Sequence, residues 1–95
     1  MKGYVVCVYK DITNEEKLKE YAMKARAAVE NFKGKFLIRG GKATANEGEK
    51  SPRTVVIEFP SYDEANSFYN SKEYQEAHDI LKGHAERHHQ TIEGA

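Results

Sequence analysis

The sequence predicts an α+β domain of βαββαβ order, in which a four-stranded antiparallel sheet carries two helices on one face. Three observations lead there. Apart from its glycine, Gly3 to Tyr9 is a short run of aromatic, β-branched and cysteine residues bounded by charge, which favours a strand. Between Thr13 and Phe32 the apolar residues recur at three- and four-residue steps, as on a helix with one buried stripe. Two further strand-like runs then precede a second helical stretch, the chain order of a split βαβ unit.

Each element has its own signal. In the first strand Tyr4, Val6 and Val8 point one way and Val5, Cys7 and Tyr9 the other, so both faces are apolar and the strand belongs inside the sheet. Thr13 and Glu16 form a capping-box pattern that opens a helix over Asn14–Phe32. Leu18, Tyr21, Ala22, Ala25, Ala28, Val29 and Phe32 form its buried stripe, and Glu15–Lys19, Glu20–Lys24 and Arg26–Glu30 are expected as exposed pairs. Gly34 is expected to end it in a left-handed conformation. Lys35–Arg39 reads as the second strand, with a bulge at Gly40-Gly41. The polar stretch from Lys42 to Pro52 reads as a long hairpin tip, and Arg53–Phe59 as the third strand, ended by Pro60. Ser61 and Glu64 open a helical segment with Ala65, Phe68 and Tyr69 on one face; Ser71 restarts it, and Tyr74, Ala77, Ile80 and Leu81 keep the period up to Gly83. Thr91–Glu93 predicts a short closing strand.

Composition bounds the partners. Fifteen basic and fifteen acidic residues give zero net charge, hence no field to gather polyanions, and the sequence predicts neither nucleic-acid nor membrane binding. The apolar run at the N-terminus is far too short for a signal core or a membrane span. One cysteine, Cys7, allows no internal disulfide and no cysteine zinc cluster, which fits a cytoplasmic location. Because helices cover only one face of the sheet while Tyr4 to Tyr9 supply apolar groups to both, the other face calls for a partner, and a two-fold homodimer is expected.

The segments KGKFLIRGG (Lys33–Gly41), RTVVIEFPSYDEA (Arg53–Ala65) and FYNSKEYQ (Phe68–Gln75) occur in an order and spacing that resemble the family labelled domain of unknown function thirteen-thirty, over essentially the whole chain. The resemblance implies a ferredoxin-like dimeric α/β barrel with a pocket between the helices and the sheet of each protomer. It implies no established activity. The wider superfamily includes cofactorless monooxygenases, isomerases, haem-degrading enzymes and small stress-response barrels, so the fold leaves the reaction open.

Arg39 and Glu58 are the polar residues least expected in their apolar surroundings. With a turn near Gly48-Glu49 they fall opposite one another. Two readings are open: a structural ion pair at the rim or dimer interface, or an arginine binding a carboxylate or enolate oxygen beside a glutamate base. Tyr69 is the candidate for lining the pocket, and His78, within the second helical region, is the alternative base. Among the remaining histidines His84 and His88 lie four apart, but Gly83 breaks the helix before them and no third ligand has fixed spacing, so no metal is expected. Haem is disfavoured by the absence of tryptophan and of a matching asparagine motif. Gly40-Gly41-Lys42 lacks the spacing of a phosphate loop, and Cys7 reads as an inert core thiol. The leading expectation is therefore a cofactor-free, homodimeric protein binding a small anionic organic compound, as an isomerase- or monooxygenase-like enzyme with Arg39, Glu58 or His78 at work. The alternative is a non-catalytic ligand-binding or stress-response structural dimer.

Overall fold

A first strand with two apolar faces has to lie between other strands, and it does. The computed structural model describes all 95 residues and runs β1 (Gly3–Ile12), α1 (Glu15–Asn31), β2 (Lys35–Arg39), β3 (Thr54–Phe59), α2 (Tyr62–Asn70), α3 (Lys72–Leu81) and β4 (Ala85–Glu93). The sheet order is β2-β3-β1-β4 with every neighbouring pair antiparallel. This is the ferredoxin-like βαββαβ arrangement, its second helical region broken at Ser71 into α2 and α3.

The core lies between the sheet and the helices. Val5, Cys7 and Tyr9 of β1 and Val55, Ile57 and Phe59 of β3 meet Leu18, Tyr21, Ala25, Ala28 and Val29 of α1. Ala65 and Phe68 of α2 and Tyr74, Ala77 and Leu81 of α3 complete it. Phe68 is the aromatic hub, with ring centres 5.0 Å from Phe59 and 4.7 Å from Tyr74. Burying side chains of this size contributes about 1.5–3 kcal/mol each.

The opposite face is apolar and uncovered within the protomer. Ile38 pairs with Val56 and Val56 with Val6, while Tyr4 pairs with Ile92, so these side chains share that face. Ile38 and Ile92 are each 47% exposed.

Several local expectations need correction. Asn14, not Thr13, caps α1: its side chain accepts from the Lys17 amide, while the Thr13 hydroxyl donates to the His84 carbonyl at 3.0 Å. The left-handed residue after α1 is Lys33 (φ 61°), not Gly34. A Cβ on Gly34 would stand 2.7 Å from both Phe59 and Val29, so glycine is required there by close packing. Of the three expected pairs along α1 only Arg26–Glu30 forms, at 3.2 Å; Lys17 meets Glu20 and Lys24 reaches Glu76 on α3. β3 begins at Thr54. The bulge in β2 falls between Phe36 and Ile38, ahead of Gly40-Gly41. β4 spans nine residues rather than three, because it lies along the full length of β1 and draws its stability from that pairing, not from aliphatic side chains of its own.

Candidate functional site

Strand register assembles the site. Arg39, Val55, Cys7 and His89 are successive cross-strand partners, forming one row across all four strands on the helix-facing side. In the adjoining row Tyr9 partners Arg87, and the Tyr9 amide donates to the Arg53 carbonyl at 2.9 Å. Tyr21 and Ala25 of α1, Phe68 of α2 and Tyr74 of α3 roof these rows and enclose a cavity of about 40 Å³. One water needs roughly 10–15 Å³, so the cavity takes a few waters or the head of a small organic molecule.

Arg87 is the centre of this cavity. Its Nη1 donates to the hydroxyls of Tyr9 at 3.1 Å and Tyr21 at 3.0 Å, and its Nη2 to the hydroxyl of Tyr74 at 2.9 Å. The guanidinium also lies over the rings of Tyr21 and Tyr9, 4.8 and 5.4 Å from their centres, where the negative ring faces favour a cation. It has no carboxylate within 4.0 Å, and neither have Arg39 and Arg53 at the cavity wall. No aspartate or glutamate lines the cavity.

The other titratable groups do not offset this charge. Burial pushes the Tyr9 phenol up to about 12, and Tyr21 adds to the rise while Arg87 opposes it. Burial likewise raises Tyr21, Tyr74 and the Cys7 thiol, each against the pull of Arg87. His89 is held down at about 3 by burial first, then by Arg87, His78 and His88. At neutral pH the phenols and the thiol keep their protons and the imidazole is neutral. The formal charge of the lining is therefore that of its arginines, because a guanidinium does not deprotonate in proteins.

The residues singled out from sequence fall in three places. Arg39 closes the helix-facing row at the end of β2, its guanidinium 4.8 Å from the Phe36 ring centre. Glu58 is on the opposite face, where the Tyr4 hydroxyl donates to it at 3.1 Å and Lys2 lies 4.0 Å away. The two are not cross-strand partners: Glu58 pairs with Lys35 and Arg39 with Val55. The β2 bulge turns Arg39 toward the helices, and the sheet separates it from Glu58. Tyr69 and His78 line a second, open cleft with Lys82, and Arg87 and His89 form the wall between that cleft and the cavity. The Tyr69 ring packs against that of His89, with centres 5.1 Å apart and planes inclined by 48°. The His78 Nδ1 has no hydrogen-bond partner; the nearest carboxylate, exposed Asp79, is 3.6 Å from it.

Arg87 and His89 are not among the residues the sequence singles out, because AERHHQ, ahead of the expected Thr91–Glu93 strand, shows no apolar pattern. Strict alternation was the available signal: Ala85, Arg87, His89 and Thr91 are half-buried, while Glu86, His88, Gln90 and Ile92 are exposed. Because His84 precedes the strand and His88 is on the exposed face, their four-residue spacing has no helix to act on. No cluster of three or more histidine, cysteine or acidic side chains is placed to hold a metal.

Known proteins agree with this architecture. The family described as Domain of unknown function (DUF1330) matches residues 2–95. No curated protein matches the chain. A protein of unknown function from Rhodopseudomonas palustris superposes with a TM-score of 0.79 at 13% identity, covering 99% of this chain and 82% of its own. A dimeric ferredoxin-like protein of unknown function from Jannaschia sp. CCS1 gives 0.69 at 12% identity, covering 99% and 100%. A dimeric protein of unknown function and ferredoxin-like fold from Bacteroides fragilis gives 0.63 at 19% identity, covering 98% and 96%. At these identities the likeness is one of fold.

Proposed function

The chain belongs to the DUF1330 family of domains of unknown function, and from that premise we propose a homodimeric protein whose cavity binds a small organic anion. One observation carries the reading: Arg87 is enclosed by three neutral phenols, with no carboxylate in ion-pair reach. A charge removed from water and left without a counter-charge is costly, and a carboxylate or enolate oxygen supplies the missing partner with the bidentate geometry a guanidinium favours. Arg39 and Arg53, at the wall, draw the anion in.

The chemistry such a site suits is cofactor-free proton transfer on a substrate whose negative charge Arg87 stabilises, as in an isomerase or a monooxygenase-like enzyme. Tyr69 and His78, beyond the Arg87–His89 wall, serve the outer cleft. Glu58 takes the structural alternative and belongs to the apolar face through which two protomers pack. Two of the solved structures alike in fold are described as dimers, which supports that assembly. No helix is long and apolar enough to cross a membrane, and a lone buried thiol suits a reducing compartment; we place the protein in the cytoplasm, without nucleic-acid or membrane partners.

A second reading, a ligand-binding or stress-response dimer without catalysis, is favoured by the titration of the lining: its imidazole is held low and its phenols high. Both readings share the anion site. A thermal-shift screen of formate, acetate and larger carboxylates against wild type and Arg87→Met tests it. Stabilisation of wild type alone supports the site, and equal response of both proteins rejects it.

A further inference from the structure

We propose that this cavity takes up one proton with each anion, so that its ligand is a weak acid in sum: the anion settles on Arg87 and the proton on the Nε2 atom of His89, passed along the hydroxyls of Tyr21 and Tyr74. The proposal rests on the reading of Arg87 as the anion site.

Hydrogen accounting motivates it. Arg87 donates to the oxygens of Tyr9, Tyr21 and Tyr74, which leaves the single hydrogen of each phenol free to donate elsewhere. The Tyr21 and Tyr74 oxygens are 2.9 Å apart, and the Tyr74 oxygen is 3.4 Å from His89 Nε2. If Tyr21 donates to Tyr74, the Tyr74 hydrogen faces Nε2, and a continuous hydroxyl chain runs from the cavity to the imidazole. The Tyr9 hydroxyl has no protein acceptor and is available to donate to the anion.

Proton movement along this chain balances. The acid gives its proton to the Tyr21 oxygen, Tyr21 passes its own to Tyr74, and Tyr74 passes its own to Nε2. Both tyrosines end as they began, leaving an anion at Arg87 and an imidazolium at His89.

The surroundings of His89 explain why anion and proton enter together. Arg87 faces it from β4, Cys7 from β1, Tyr69 from α2, and Tyr74 and His78 from α3, while His88, next to it in the chain but on the other face of the sheet, also acts on it. None brings a negative charge; burial first, and then repulsion by Arg87, keep the imidazole neutral. An anion on Arg87 removes that repulsion.

Formate, ionised over the range needed, is the probe. Its affinity is measured by nuclear magnetic resonance titration from pH 5 to pH 8 for wild type, Arg87→Met, His89→Gln and His78→Asn. Burial still opposes the imidazolium in the complex, so the bound value rises from about 3 without regaining the ordinary range; uptake of one proton predicts an affinity that weakens as pH rises from 5, by at most about tenfold per pH unit, and levels off by roughly pH 6.5. His89→Gln is expected to bind formate without that slope, and His78→Asn to retain it. Arg87-dependent binding that is flat with pH overturns the proton uptake and leaves the anion site standing. A slope that survives in His89→Gln, or disappears in His78→Asn, overturns it too. Absence of any Arg87-dependent binding removes the anion site and the proton uptake together.

Discussion

Arg87 donates to the Tyr74 hydroxyl at 2.9 Å, a cation partnered by a neutral phenol where a buried guanidinium ordinarily meets a carboxylate. Tyr74 is itself 1% exposed and also touches Tyr21 and His89, so one hydroxyl joins the sheet's charged row to the helical roof.

Tyr74→Phe keeps the ring that packs on Phe68 and removes only that junction. Leaving a buried donor unsatisfied costs about 1–3 kcal/mol. Urea denaturation is expected to show a loss of that size; an unchanged midpoint would mean that the hydroxyl contributes nothing to the network.

The end of α1 gives opposite outcomes at adjacent positions. Lys33 holds a left-handed conformation that costs a side-chain-bearing residue about 1 kcal/mol, so Lys33→Gly is expected to be neutral or stabilising. At Gly34 an added methyl meets Phe59 and Val29, and Gly34→Ala is expected to cost about 1–3 kcal/mol through overpacking. Thermal melts of the two variants decide the matter, and the reverse order would reject this account of the turn.

Elements set by strong local chemistry are legible in the sequence. Both faces of β1, the α1 stripe and the Ser61 and Ser71 caps could be read directly, because an apolar period or a capping hydroxyl acts over a few residues. Features set by distant partners are not legible there. Arg39 and Glu58 were expected together because a bulge at Phe36–Ile38 leaves no distinctive mark in LIR, yet it turns Arg39 to the other face. The closing strand was expected to be short because AERHHQTIE has little that resembles a buried strand. Its pairing to β1, and the cavity its alternate residues face, lie far away along the chain.

Dimerisation through the open face predicts a mass twice the 10.8 kDa protomer by light scattering at micromolar concentration. Val6, between Val56 and Gln90 on that face, is the position to disturb. Val6→Glu is expected to yield a monomer with the far-ultraviolet circular dichroism of the wild type. A wild type that already runs as a single protomer contradicts the assembly.

Acid stability of the ligand-free protein reports on His89. Its folded value, about 3, is below that of the unfolded chain. The unfolded state therefore binds the additional proton first, starting near pH ~6.5, and stability falls as pH drops from there toward pH 4. One such group contributes at most about 1.4 kcal/mol per pH unit. Urea midpoints at successive pH values are expected to fall less steeply for His89→Gln than for wild type, and parallel curves would assign the acid sensitivity to other groups.

Crystallography of the protein soaked in formate bears most directly on whether the Arg87 cage binds an anion. The account predicts a carboxylate within hydrogen-bond distance of an Arg87 nitrogen and of the Tyr9 hydroxyl in wild type, and none there in Arg87→Met. Density for formate only at the outer cleft beside His78 and Lys82, or none in the cavity at saturating concentration, would contradict it.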